Sequence, residues 1–173
     1  MLYSGEFDMY AKELHHYYNK DKGNTLIEDW KNCMYFHRMS SRASVDYMIP
    51  LLRKITAGQN SLTAAQKENL AKCEHLRWCA FHYTFGYEAM ETAEFIERLK
   101  KQRAGMLAPD ESPRQDTKAR KHVCLVSWND LDKVSLAENS VTHGHRDFKQ
   151  NDRDNIDVIM GLIHPEGQKN CSV

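Results

Sequence analysis

The chain has 173 residues, 41% of them hydrophobic, and its 24 basic side chains balance 24 acidic ones. That length suits one globular domain, or a compact domain with an added helical arm, and the zero balance excludes the Lys/Arg excess with which proteins grip nucleic acid regardless of sequence. No apolar run nears the ~20 residues that cross a bilayer, and Met1-Leu2-Tyr3-Ser4-Gly5-Glu6 lacks the basic and apolar regions of a leader, so the expectation is a cytoplasmic protein with neither membrane nor nucleic acid as partner.

Along the chain the pattern is mostly helical. Residues 5–19 carry Phe7, Tyr10, Leu14, Tyr17 and Tyr18 at helical spacing, and Asp21-Lys22-Gly23-Asn24 ends them as a turn. Thr25 and Glu28 form a capping box, so a second helix starts near residue 26 and reaches 36 or 38. A third follows Ser40-Ser41 and runs to Ile55, where Pro50 should kink or divide it by removing a donor and crowding the preceding turn. Thr63 and Gln66 make a second capping box for the best-specified helix, 64–84, closed by Gly86 in a left-handed cap.

A polar helical piece follows at 92–102, and 104–120, rich in Pro, Asp, Lys and Arg, reads as a mobile surface loop. His122-Val123-Cys124-Leu125-Val126-Ser127 is the one credible strand. Asn129-Asp130-Leu131 starts a short helical turn, 137–150 reads as irregular, and 152–163 makes a final helix. The five cysteines (Cys33, Cys73, Cys79, Cys124, Cys171) are odd in number, with no CxxC pair. They read as reduced thiols, mostly small buried hydrophobes, rather than disulfides or zinc ligands.

The helix at 64–84 holds the most informative pattern. His75, Trp78, Cys79 and His82 fall at i, i+3, i+4 and i+7, on one stripe where an amphipathic helix would carry aliphatic side chains.

Together with motifs nearer the C-terminus, this helix resembles the ryanodine-receptor repeat, or RyR domain. The resemblance rests on Leu70-Ala71, Glu74-His75, Arg77-Trp78, Gly86-Tyr87, Lys121-His122-Val123-Cys124-Leu125-Val126, Trp128, Leu131 and Asp152-Arg153-Asp154-Asn155. It covers about 62–163, and 30–55 is similar to the helical segment that precedes this domain in longer bacterial proteins. The chain departs from the family where Gly86-Tyr87-Glu88-Ala89 replaces Gly-Trp-x-Tyr-Gly, where a helical insertion occupies 90–103, and where His122-Val123 replaces His-Pro.

The resemblance implies a mainly α fold: a compact helical RyR-like domain (61–173) with a short β-hairpin or strand pair, preceded by a helical N-terminal arm (1–60). It implies binding of a nucleotide-like small molecule without catalysis, as a sensor or a sequestering protein, in signalling tied to phage defence or its evasion. The pocket would lie between the 64–85 helix and the 118–131 segment. Trp78 would stack a base, Arg77, Arg120 and Lys121 would meet phosphate, and His75 and His122 would donate to ribose or phosphate. Asp152 would accept from a ribose hydroxyl, as Asp154 would, while His82, Tyr87, Trp128 and Arg153 complete the candidate contacts.

Each residue also has a plainer reading. Trp78 can be core, Arg77 and Glu74 a surface pair, and 118–121 a solvated charge run. His75 can be a satisfied core histidine that holds the strand carrying His122 by a backbone hydrogen bond. Neither His143-Gly144-His145 nor the stripe completes a metal-ligand spacing, so no metal and no cofactor are expected. No reaction-specific motif accompanies Cys79 or Cys124, which leaves an enzyme, a nucleotide-acting hydrolase, as the less favoured reading. An alternative class is a structural or oligomerisation module, in which the aromatic stripe of 5–19 pairs two copies as a dimer.

Overall fold

The structure, a computed structural model, describes residues 5–164 apart from 58, 60 and 109, with the side chains of 5–7 and 21 left aside. The side chain of Phe7, Cys171, and Gly58 and Asn60 of the segment 57–60 that the sequence leads one to expect as the close of the third helix thus lie outside the described residues. The chain is mainly α-helical with one small sheet. Its helices are α1 (Gly5–Tyr17), α2 (Leu26–Asn32), α3 (Tyr35–Thr56), α4 (Ala64–Thr84), α5 (Thr92–Arg103), α6 (Leu131–Thr142) and α7 (Phe148–Ile163). The strands β1 (Glu88–Ala89), β2 (Gln115–Asp116) and β3 (Lys121–His122) form a sheet in the order β1-β3-β2. Strand β3 runs parallel to β1 and antiparallel to β2.

The described residues fall into two compact units. One holds those up to Glu74 together with those from Arg153 onward, and the other is His75–Asp152, so α4 and α7 each contribute to both.

In the first unit α1 packs on α2 and α3. Val45, Met48, Ile49 and Leu52 recur along α3 at the spacing that keeps one helix face inward, and they are buried with Ala11 and Leu14 of α1, Leu70 and Ala71 of α4, and Ile156 and Ile159 of α7. The inward stripe of α1 is thus part of the core, while Met9 and Tyr18 are exposed. Both capping boxes form: the Thr25 hydroxyl accepts from Glu28 N while Glu28 accepts from Thr25 N, and Thr63 and Gln66 exchange the same pair.

The boundary between the second and third helices differs from expectation. Helix α2 stops at Asn32 and α3 already begins at Tyr35, because Cys33 and Met34 are extended. Arg38 donates to the carbonyls of Trp30 and Cys33, satisfying the orphaned end of α2 that a longer helix would have covered. Pro50 does not divide α3. Its ring is exposed, and the buried residues on the opposite face hold the helix together across it.

In the second unit, Met90, Phe95, Leu99, Val123, Cys124, Leu131, Val134 and Phe148 form the core. The insertion at 90–103 is therefore structural: α5 supplies two of these residues and packs on α6. The run expected as a strand at 122–127 pairs only at Lys121–His122. From Val123 the chain turns, with Leu125 N donating to His122 O, and buries Val123, Cys124 and Leu125 as a plug. Its β-prone composition reported burial rather than pairing.

The segment 104–120 is anchored, not a plain loop. Arg98 of α5 donates to Ser112 O, Gln115 O and the Asp116 carboxylate at 3.1–3.2 Å, and β2 lies within it. The short helical turn expected near 129–131 grows into all of α6, and only 143–147 of the stretch expected to be irregular is so. Helix α7 starts at Phe148, whose N–H donates to Ser135 Oγ. No helix among the described residues is long and apolar enough to cross a membrane.

Candidate functional site

The stripe on α4 points into the second unit. His75, Cys79 and His82 are buried and Trp78 is half-buried against the core. The four positions lie on one side because 3.6 residues per turn stacks i, i+3, i+4 and i+7. Strand β3 brings His122 to the same place, and the turn after it brings Trp128.

These rings pack on one another. Trp78 lies 3.9 Å from the His82 ring centroid, tilted by 41°, and meets His122 edge-on at 4.8 Å. His75 lies 6.2 Å from Trp78 with nearly parallel planes, and 5.8 Å from Trp128. His82 also meets Tyr87 at 5.3 Å and His122 at 5.7 Å. The Tyr87 hydroxyl accepts from Gln115 Nε2 at 3.0 Å, which ties β2 to the rim of the cluster.

The three imidazoles are held differently. His75 Nε2 faces Val126 O at 2.8 Å and its Nδ1 faces the Asp152 carboxylate at 3.5 Å, so both ring nitrogens meet acceptors and the doubly protonated ring suits the site. Burial opposes that charge most strongly, but hydrogen bonds to Asp152, Cys79 and Val126 O outweigh it and raise the pKa to about 10. The backbone tie expected for His75 is thus present: it clasps the turn after His122.

His122 is held neutral. Its Nδ1 accepts the Cys124 N–H at 3.0 Å, and burial, reinforced by His82, Arg114 and His75, lowers its pKa to about 3. His82 donates from Nδ1 to Trp78 O at 3.0 Å. Cys124 is pushed up to about 12 by burial, which makes it an inert thiol, not a nucleophile. The four described cysteines are free, and no group of three or more ligating side chains among the described residues has metal-binding geometry.

Of the candidate residues, the structure gathers His75, Trp78, His82, Tyr87, His122, Trp128 and Asp152. Lys121 and Arg120 adjoin them in sequence. Lys121 pairs with Glu94 at 2.8 Å, and Arg120, exposed, donates to Phe85 O at 3.2 Å from a backbone with φ +54. Arg77 sits two residues beyond His75, off the stripe. Arg153 belongs to the first unit, where its guanidinium grips Glu68 through two hydrogen bonds.

Glu74, read from the sequence as one half of a surface pair, is buried and joins a network of the first unit. Glu74 Oε1 accepts from Ser44 Oγ at 2.9 Å and from Asn155 Nδ2 at 2.8 Å. Sequence reasoning gave no place to Gln115 and Glu94, which secure Tyr87 and Lys121. Their only local signal was polarity, common to any surface segment.

Comparison with protein-family models, curated proteins and solved structures finds no match to this chain. The chemistry of the site's own groups is therefore the ground for its function.

Proposed function

We propose that the second unit is a non-catalytic binding module for a nucleotide-derived small molecule, of the RyR-like kind that the motifs resemble. One observation carries the reading: β3 places Lys121, and Arg120 just before it, next to His122 of the ring cluster. Aromatic rings and cations thereby adjoin along the central strand of the sheet. A base and a phosphate need those two chemistries side by side.

Burial divides the roles. The half-buried Trp78, Tyr87, His122 and Trp128 are the contact groups, while the buried His75 and His82 support them. Arg120 supplies the phosphate contact, and its backbone, held in a region that non-glycine residues rarely adopt, supports a role beyond packing. Arg77 and Arg153 drop to secondary candidates. In this reading the protein senses or sequesters a signalling nucleotide, as in phage defence or its evasion, as a homodimer in the cytoplasm.

One observation favours a second reading, in which the cluster is only a polar core: the His82 ring already covers one face of Trp78. Thermal shift and calorimetry against adenine nucleotides, cyclic dinucleotides and ADP-ribose derivatives separate the two. A ligand at a hundredfold excess over its dissociation constant adds about 2.7 kcal/mol of stability. The binding reading requires such a shift, and requires Arg120→Ala and Tyr87→Ala to reduce it in folded protein. No shift with any of these compounds leaves the core reading.

A further inference from the structure

We propose that a groove on the first unit binds a small organic polycation, a chain of methylenes carrying ammonium groups, of the diamine or polyamine class. The groove has a volume of about 500 Å³, in the usual range for small-molecule sites. It lies within the unit that does not contain the ring cluster, so it stands apart from the function proposed above.

Helix α1 and the 3-10 turn just after it, Lys20–Lys22, form one wall, and α7 forms the other. Val158 and Leu162, four residues apart on α7, make an apolar floor, as methylenes require. Two carboxylates line the groove from opposite walls, Glu13 on α1 and Asp157 on α7. Tyr17, one turn after Glu13, adds an aromatic ring beside the first carboxylate.

The most telling contact is already made by the chain itself. The Lys20 ammonium lies over the Tyr17 ring, 4.3 Å from its centroid, so this ring face is a cation seat occupied by an exposed, tethered side chain. His16, which also lines the groove, is bound to the buried Asp29 at 2.6 Å, so any charge it carries is matched there and not at the groove. Asp157 meets Lys67 in an exposed ion pair, of the weak kind that a better-placed cation can replace. An incoming ammonium would take the Tyr17 seat from Lys20, its methylenes would cross Val158 and Leu162, and a second ammonium would meet Asp157.

Calorimetry on the full chain with spermidine and 1,4-diaminobutane, against magnesium chloride at matched ionic strength, tests this. Spermidine should bind and magnesium should not replace it. Tyr17→Leu should weaken binding about tenfold, and Glu13→Gln should weaken it less. Lys20→Gln should tighten binding more than Lys54→Gln, an exposed lysine outside the groove, because both remove one positive charge but only the first vacates the ring. The proposal is overturned if spermidine gives no saturable binding at millimolar concentration, if magnesium competes as well as the diamine, or if Lys20→Gln tightens binding no more than Lys54→Gln. Circular dichroism checks folding. Should Tyr17→Leu unfold, the comparison of Lys20→Gln with Lys54→Gln decides the outcome.

Discussion

His75 illustrates how a single side chain on α4 serves the second unit. Its two donors answer Val126 O and Asp152, so it closes the turn after β3 from within the helix. His75→Gln keeps part of the shape but removes the imidazolium charge that faces the Asp152 carboxylate. We expect a loss of about 2–3 kcal/mol, measured by urea unfolding. Gly86 is a second such point. Its φ of +74 suits glycine, and a Cβ there would stand 3.0 Å from Arg120 Nη1. Gly86→Ala should cost about 1–2 kcal/mol, and Gly86→Ala combined with Arg120→Ala should recover the steric part but not the backbone part. Urea unfolding of both variants reads the difference. The stripe of His75, Trp78, Cys79 and His82 was legible from spacing alone, since helical geometry fixes which side chains share a face. The identity of the partners of His75, Val126 O and Asp152, was not, because those contacts span many residues of intervening chain.

At the scale of elements, the helices with capping boxes were the most legible. Helices α2 and α4 start where Thr25 and Thr63 place them, because caps are local chemistry. Thr25→Ala should destabilise the first unit by about 1 kcal/mol in thermal or urea unfolding. Helix α3 offers the converse. Pro50 lies in its interior with an exposed ring, so it lacks one hydrogen bond while burying little. Pro50→Ala should therefore stabilise the protein by about 1–3 kcal/mol, seen as a higher urea midpoint with unchanged slope. The sheet was the least legible part. Strands β1 and β2 are two-residue pairs with no periodicity of their own, and β3 pairs through two residues of a run whose apolar remainder is buried in a turn.

At the scale of the whole molecule, the histidines set the response to pH. In the folded state His75 keeps its proton up to about pH 10, whereas unfolded it would lose it near 6.5. Its contribution is therefore complete below about 6.5 and fades as pH rises towards 10. His122 acts the other way. Folded, it stays neutral until about pH 3, so from about 6.5 downward only the unfolded chain takes up that proton and stability falls. His15 and His37, lowered chiefly by burial, add to this acid arm from the first unit. Urea unfolding from pH 4 to 10 should show greatest stability near pH 6.5, with the alkaline decline much reduced in His75→Gln.

The sequence by itself determined that this protein is mainly helical, where its capped helices begin, and that α4 turns polar rings inward. Those features arise from 3.6-residue periodicity and from capping groups a few residues apart. Only the tertiary structure decided that Glu74 is buried against Ser44 and Asn155, that Arg153 grips Glu68, and that the 90–103 insertion fills the core. It also set one imidazole as a cation and another as a neutral ring. The cause is that burial and charge partners come from segments tens of residues apart, and a histidine's state is fixed by what is packed around it.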